Sequence, residues 1–328
     1  MDYSNLHKTS CLDALRNNKG TAELKQYFQK LVVQNRYKAS SIVNDENLCF
    51  GTLYILWPLI ARYRPLLNLN TRNTTAIKIM KSIIDKKSSY LRHLDKKDNQ
   101  AIHSTLTWMM GTGYTDDGLN SQYDEILDTA GLLLVKRYHD TSLVLPMIDI
   151  VFSRNRKGTY NHDIAWCVFE TRNPQVLVLI ANYLNSRNSK DIEFAQKLLW
   201  FVPAKYTNRN RGTIMDPNGV EYWIRENAPF IEYTGESFQQ KHNPAPFSIS
   251  FKDKYICKPV GASTRSESPY EKKLLDEFEC LDNYTKEILS NHSFMLYRQN
   301  RDWWNRWMSL PVPEQVRIAK TASGGIMP

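Results

Sequence analysis

The sequence predicts a mostly α-helical protein. It reads as stacked antiparallel helix pairs, or an irregular helical domain with the same local pattern, joined to a loop-rich segment that holds a short strand or hairpin. Three observations carry this. Apolar residues recur at i, i+3 and i+4 through the first two-thirds of the chain. A capping residue followed by proline marks a helix start at Asn173–Pro174, Asp216–Pro217 and Ser268–Pro269. Between residues 141 and 202 the helices come in pairs that begin about 32 residues apart, at Thr141 and Asn173.

Taken in order, Leu24, Tyr27, Phe28, Leu31 and Val32 predict a first helix over 21–36. A second follows Asn44–Asp45, with Pro58 kinking or ending it. Ile77, Met80, Ile83 and Ile84 mark a third, capped at Thr74. A fourth carries Ile102, Leu106 and Met109 and stops at Gly111. Ser121 with Asp124 opens a fifth, bearing Tyr123, Ile126, Leu127, Ala130 and Leu134. The first pair then runs from the Asp140–Ser142 cap to about Phe152, and from about His162 to Glu170. The second runs from Asn173 through Leu184, and from Ser189 to Val202, where Pro203 stops it.

After Pro203 the texture changes. Residues 204–268 hold much of the Pro and Gly, one short helix after Asp216–Pro217, and the alternating run PFSISFKDKYICKPV, with Phe247, Ile249 and Phe251 on one side. Ser268–Pro269 caps a long helix through Leu289, the tryptophan-rich DWWNRWMSL forms another, and Pro313 opens the last. The expected domains are a helical region 1–203, a loop-rich arm 204–268, and C-terminal helices 269–328.

Residues 121–202 resemble HEAT-type or armadillo-type repeats, in which helix pairs stack into a curved solenoid. The resemblance is one of architecture: there is no tetratricopeptide W-x2-L-G-x2-Y, no ankyrin T-P-L-H, and no internal identity between the pairs. It implies a broad binding surface.

Composition bounds the function. At 42% hydrophobic residues with 13 Gly, the 328-residue chain is neither a disordered tail nor collagen-like. Its longest apolar run, 48–61, is shorter than a membrane-spanning helix, and MDYSNLHKTS has no signal-peptide core. Five cysteines, an odd number with none closely spaced, fit neither a zinc ribbon nor a disulfide framework. A soluble cytoplasmic protein is expected. The net charge of +9 is patchy: 72–97 carries eight basic residues, whereas 101–135 carries five acids and no Lys or Arg.

No G-x-S-x-G, P-loop, H-E-x-x-H or dinucleotide fingerprint is present, and no cofactor or metal is expected. Two weaker enzyme sets exist. Asn161-His162-Asp163 with Glu170 offers a general base or metal ligand. Glu221, Glu226, Glu232 and Glu236 flank Tyr222, Trp223, Phe230 and Tyr233, as the paired acids of a glycoside hydrolase would.

Basic turns form a richer constellation. Arg154, Arg156 and Lys157 follow one helix, and Arg187 and Lys190 the equivalent helix of the next pair. In a stack these would lie about 10 Å apart along one edge. Lys136, Arg137, Arg172, Lys205, Arg209 and Arg211 would line the other, with asparagines interleaved (SRNRKG, NSRNSK, TNRNRG). Solvated turns whose cations complement helix C-termini give the same pattern. At the C-terminus Trp303, Trp304 and Trp307 interleave with Arg298, Arg301 and Arg306, a composition suited to a protein interface, to packing on the chain's own domain, or to base stacking.

The leading expectation is a non-enzymatic helical-repeat scaffold or adaptor that binds other proteins, or a second copy of itself, within a larger assembly. The alternatives are a nucleic-acid-binding protein that uses the basic turns, similar in outline to the HEAT-like DNA glycosylases, and an enzyme of unrecognised type.

Overall fold

The computed structural model describes residues 9–85, 99–203, 206, 215–261 and 268–323. They form sixteen α-helices and one two-stranded antiparallel sheet, so the chain is mostly α-helical with a short β-hairpin. It divides into two compact units, Met1–Thr171 and Arg172–Pro328.

In the first unit, α1 (Cys11–Gln34) begins ten residues before the expected start. Ser10 caps it by accepting from Asp13 N at 3.1 Å, and Gly20 at φ +86° joins two helical stretches across a kink. A helix that the sequence pattern did not suggest, α2 (Arg36–Val43), packs on α1. Next, α3 (Phe50–Arg62) starts later than expected because 44–49 is spent in a turn. There Asp45 Oδ1 accepts from Asn47 N, and exposed Pro58 lies within the helix rather than ending it.

Then come α4 (Thr71–Ile84), capped by Asn70 rather than Thr74, and α5 (Asn99–Gly113), which runs past Gly111. α6 (Ser121–Tyr138), α7 (Val144–Lys157) and α8 (His162–Glu170) complete the unit. α5 packs against α3, α4 and α6, and α8 against α6 and α7. An aromatic cluster sits at the centre: Phe50 stacks on Tyr123 at 5.4 Å and meets Trp108 edge-on at 5.8 Å.

In the second unit, α9 (Val176–Ala181) tightens into a 3-10 turn at Asn182–Asn185, and α10 (Ser189–Leu198) follows. α11 (Pro217–Asn227) has the predicted Asp216 cap with proline at its first turn. β1 (Ile231–Tyr233) pairs with β2 (Phe247–Ile249), with Tyr233 opposite Phe247. The expected strand at 247 thus exists, but its partner lies upstream, and Phe251 opens a helix, α12 (Phe251–Tyr255).

The single helix expected after Ser268 is two, α13 (Pro269–Glu279) and α14 (Asn283–Gln299). Asp282 breaks the run by capping the second, accepting from Thr285 N at 2.9 Å and from its hydroxyl at 2.7 Å. α15 (Arg301–Met308) and α16 (Val312–Ser323) pack on α14. Their core centres on Tyr255, which stacks on Phe278 at 4.5 Å, with Trp307 edge-on at 6.1 Å.

Candidate functional site

A cleft of about 990 Å³ with mixed chemistry lies in the second unit. One wall is a stripe of α11: Asn218, Gly219, Tyr222 and Glu226, spaced so that they share one helical face. The other is the facing stripe of α14: Asn291, Phe294, Met295, Arg298 and Gln299. Asp216 and Tyr206 extend the first wall, the Tyr206 and Tyr222 rings lying 5.9 Å apart.

Lys254 forms the floor. Ser250 caps α12 by accepting from Asp253 N, and the short helix packs on α14, turning Lys254 and Tyr255 inward. Lys254 is only 4% exposed. Its ammonium donates to Asn227 Oδ1 and to Asn291 Oδ1, both at 2.6 Å. Asn227 is itself fixed by donating from Nδ2 to Trp223 O at 2.8 Å. Towards the rim, Arg298 Nη1 reaches Glu226 Oε2 at 3.0 Å. Lys254 Nζ and the Arg298 guanidinium carbon each lie 5.6 Å from the centroid of Phe294. Placed cations, placed carboxylates and aromatic walls make a surface for recognising a ligand with both polar and apolar parts.

A second polar cluster lies inside the first unit. Arg154 is 2% exposed, so it is not a surface cation. Its Nε and Nη2 donate to Asp117 Oδ1 at 2.9 and 2.7 Å, and Nη1 to Asp128 Oδ2 at 2.8 Å. Burial pulls the guanidinium pKa down, but the bonds to Asp128 and Asp117 outweigh it and hold the pKa above its usual value. Asp128 goes the opposite way from its partner. Burial pushes it up to about 6 against the opposing bond and charge of Arg154, and the negative charges of Asp163 and Asp117 add to the rise. Asp117 Oδ2 and Asp128 Oδ1 are buried without a hydrogen-bond partner. The adjacent Asp116 turns to Arg16, which donates to both its carboxylate oxygens. Two neighbouring carboxylates thus anchor arginines from different helices.

The remaining residues singled out by the sequence are dispersed. Arg156 and Lys157 are exposed in the last turn of α7, with Lys157 Nζ donating to Asp117 O at 3.3 Å. Arg187 and Lys190 are exposed around the start of α10. Arg209 and Arg211 lie outside the described residues. One interleaved asparagine is a cap: Asn188 accepts from Lys190 N at 3.0 Å. Asn173, expected to cap the next helix, accepts from Gln175 N at 3.0 Å in the turn ahead of α9, whose cap position is Gln175. Among the second-edge residues, Lys136 sits 3.5 Å from Glu170 and over the Trp166 ring.

Of the tryptophans, Trp307 is 4% exposed and belongs to the core, Trp304 donates to Ser293 Oγ at 2.8 Å, and Trp303 is 57% exposed. Arg306 is exposed. In the histidine set, Asp163 accepts from Tyr160 Oη at 3.0 Å. In the glutamate set, only Glu226 and Tyr222 line the cleft. Trp223 and Phe230 are core, Glu232 accepts from Ser248, and Glu236 pairs with Lys241.

No family model, curated protein or solved structure matches the chain. Among the described residues no three His, Cys, Asp or Glu side chains are grouped to hold a metal. No described helix is long and apolar enough to cross a membrane. Sequence reasoning missed Lys254, Asn227, Asn291 and Phe294. The one local signal was Ser250 three residues before Asp253, a helix-start pattern hidden inside an alternating run.

Proposed function

We propose that the chain is a non-enzymatic helical adaptor that binds other proteins as a structural component of a larger assembly. The observation that carries this reading is the cleft between the α11 and α14 stripes. Its amide, aromatic and charged groups are held in fixed positions, a mixture that suits recognition of a polypeptide. Consecutive helices that pack on one another, α7 on α8 in the first unit and the 182–185 turn on α10 in the second, support helix pairs of the HEAT type. The five free thiols suit a reducing cytoplasm.

The test is recovery of the protein from its native extract at low and high salt, with and without nuclease. A defined complex that survives both treatments is expected. Recovery as a lone monomer under all conditions would refute the adaptor reading. Exposure of Arg156, Lys157, Arg187 and Lys190 favours nucleic acid as the second reading, and in that case salt would release the partner steeply.

A further inference from the structure

A small cavity of about 40 Å³ lies between α3 and α4, which both pack on α5. Its walls are mainly apolar: Trp57, Ile60 and Ala61 from α3 and Ile77 from α4. Two cations line it as well. Lys81 stands one turn beyond Ile77 on the same helical face, and Arg64 lies in the 3-10 turn Arg64–Leu66 that follows α3. Lys81 Nζ is 5.0 Å from the centroid of the Trp57 ring. Arg64 comes two helical turns after Trp57, so the two cations mark opposite ends of the α3 wall, about 10 Å apart. Lys78, one turn before Lys81, adds a third cation. All three are exposed, and among the described residues none of them meets a carboxylate. The contact of Lys81 with Trp57 leaves its charge in place, because a ring face attracts a cation without neutralising it.

Size and charge together define the occupant. The cavity has room for about three water molecules, the space of one aliphatic side chain of about four carbons. A nucleobase and a lipid acyl chain are both larger, so a nucleic acid or a membrane would reach the cations without using the cavity. A polypeptide uses both. Its Leu, Ile or Val fills the cavity, and carboxylates on either side of that residue meet Arg64 at one end and Lys78 and Lys81 at the other. An extended segment spans the roughly 10 Å between the ends in about three residues, which sets the acids one or two positions from the aliphatic residue.

We propose that the cavity between α3 and α4 is a docking pocket for an acidic segment of a partner protein, which inserts one aliphatic side chain and lays its flanking carboxylates on Arg64, Lys78 and Lys81. The pocket belongs to the first unit, whereas the cleft described above belongs to the second. It rests on the adaptor reading for the existence of a protein partner and names the segment that partner offers.

The experiment uses the full chain and an array of synthetic nonapeptides with a central Leu and an Asp or Glu one or two positions to each side. Each stands beside two twins, one with Leu replaced by Ala and one with the acids replaced by Asn or Gln. Binding is measured by fluorescence polarisation, with a nine-nucleotide oligothymidylate as competitor. Loss of the Leu side chain weakens binding about thirtyfold, and loss of the acids about tenfold. Ala61→Phe, at an exposed position of the pocket wall, fills the cavity and removes binding of the Leu peptides. Independently, Lys78→Glu with Lys81→Glu weakens the acidic peptides about tenfold, and peptides with Lys in place of the acids nearest α4 regain the loss. Both variants keep the far-UV spectrum of the parent.

Four results overturn the proposal: no peptide binding at about 100 µM, equal binding by the Leu and Ala members, binding untouched by Ala61→Phe, or displacement by the oligonucleotide. Failure here is separable from failure of the adaptor reading. A native complex that survives salt and nuclease and is indifferent to Ala61→Phe and to the paired lysine substitutions keeps the adaptor and removes this pocket from it.

Discussion

Replacing Arg154 with Met separates a buried structural cation from a surface one. The guanidinium holds Asp117 and Asp128 through three bonds of 2.7–2.9 Å, and those side chains are only 4% and 12% exposed. Methionine fills comparable volume but leaves two carboxylates without their cation in a site that water scarcely reaches. Breaking a buried pair by removing one partner costs about 3–5 kcal/mol. For a unit of this size that lowers the melting temperature by roughly 6–20 °C. A solvated turn cation would change stability by no more than about 0.5 kcal/mol.

The assay is thermal and urea unfolding of the parent and variant, followed by circular dichroism from pH 4 to pH 8. The sign of the pH effect follows from linkage. Without the cation, both carboxylates hold protons more tightly in the folded than in the unfolded chain. The deficit is therefore full at pH 7 and shrinks as the pH falls towards 4. Adding Asp117→Asn and Asp128→Asn recovers part of the loss, because charge is the expensive component. A deficit under about 1 kcal/mol at pH 7, or one that does not change with pH, would refute the reasoning.

Three other outcomes follow from the same structure. Asp128, raised to about 6 from the usual 3.8, contributes stability that is present below pH 4 and lost as the pH rises through 6, on the order of 3 kcal/mol; Asp128→Asn should flatten that limb of the pH–stability profile. Gly51→Ala would set a Cβ 2.6 Å from Asp116 Cγ and 2.9 Å from Arg16 Nη1, forcing their ion pair apart, and urea titration should show a loss of about 1–3 kcal/mol. Trp307→Ala removes a core ring and should cost about 3–5 kcal/mol, whereas exposed Trp303→Ala should stay within about 0.5 kcal/mol, as read from paired melting curves.

Some elements were legible because every local signal agreed. α8 occupies His162–Glu170 as its apolar spacing predicts, and α11 starts where Asp216–Pro217 says it should. Others failed for identifiable reasons. α2 buries only Ala39 and Val43, so RYKASSIV shows too few apolar positions to reveal a helical period. The spacing of Trp303 and Trp307, four residues apart, puts both on one helical face. In the eight-residue α15 only Trp307 reaches the core, while Trp304, on a neighbouring face, is tied to Ser293.

The two polar sites were illegible for a common reason. Arg154 stands in the last turn of an amphipathic helix that ends at a glycine, which is how a solvated cation at a helix C-terminus reads. Its carboxylates lie 37 and 26 residues away in sequence. Lys254 stands in KDK, the composition of an exposed strand, and its amide partners are 27 and 37 residues distant. Local pattern reports how a side chain relates to its own helix or strand; whether a charge is internal depends on what the fold brings opposite it. That distinction also redistributes the patchy charge of the sequence. The acidic stretch 101–135 turns Asp116, Asp117 and Asp128 on Arg16 and Arg154 within its own unit. Charge available to a partner must therefore be sought where the fold leaves cations exposed and without a carboxylate, as at Arg64, Lys78 and Lys81, or where pairs are exchangeable, at a rim such as Arg298–Glu226.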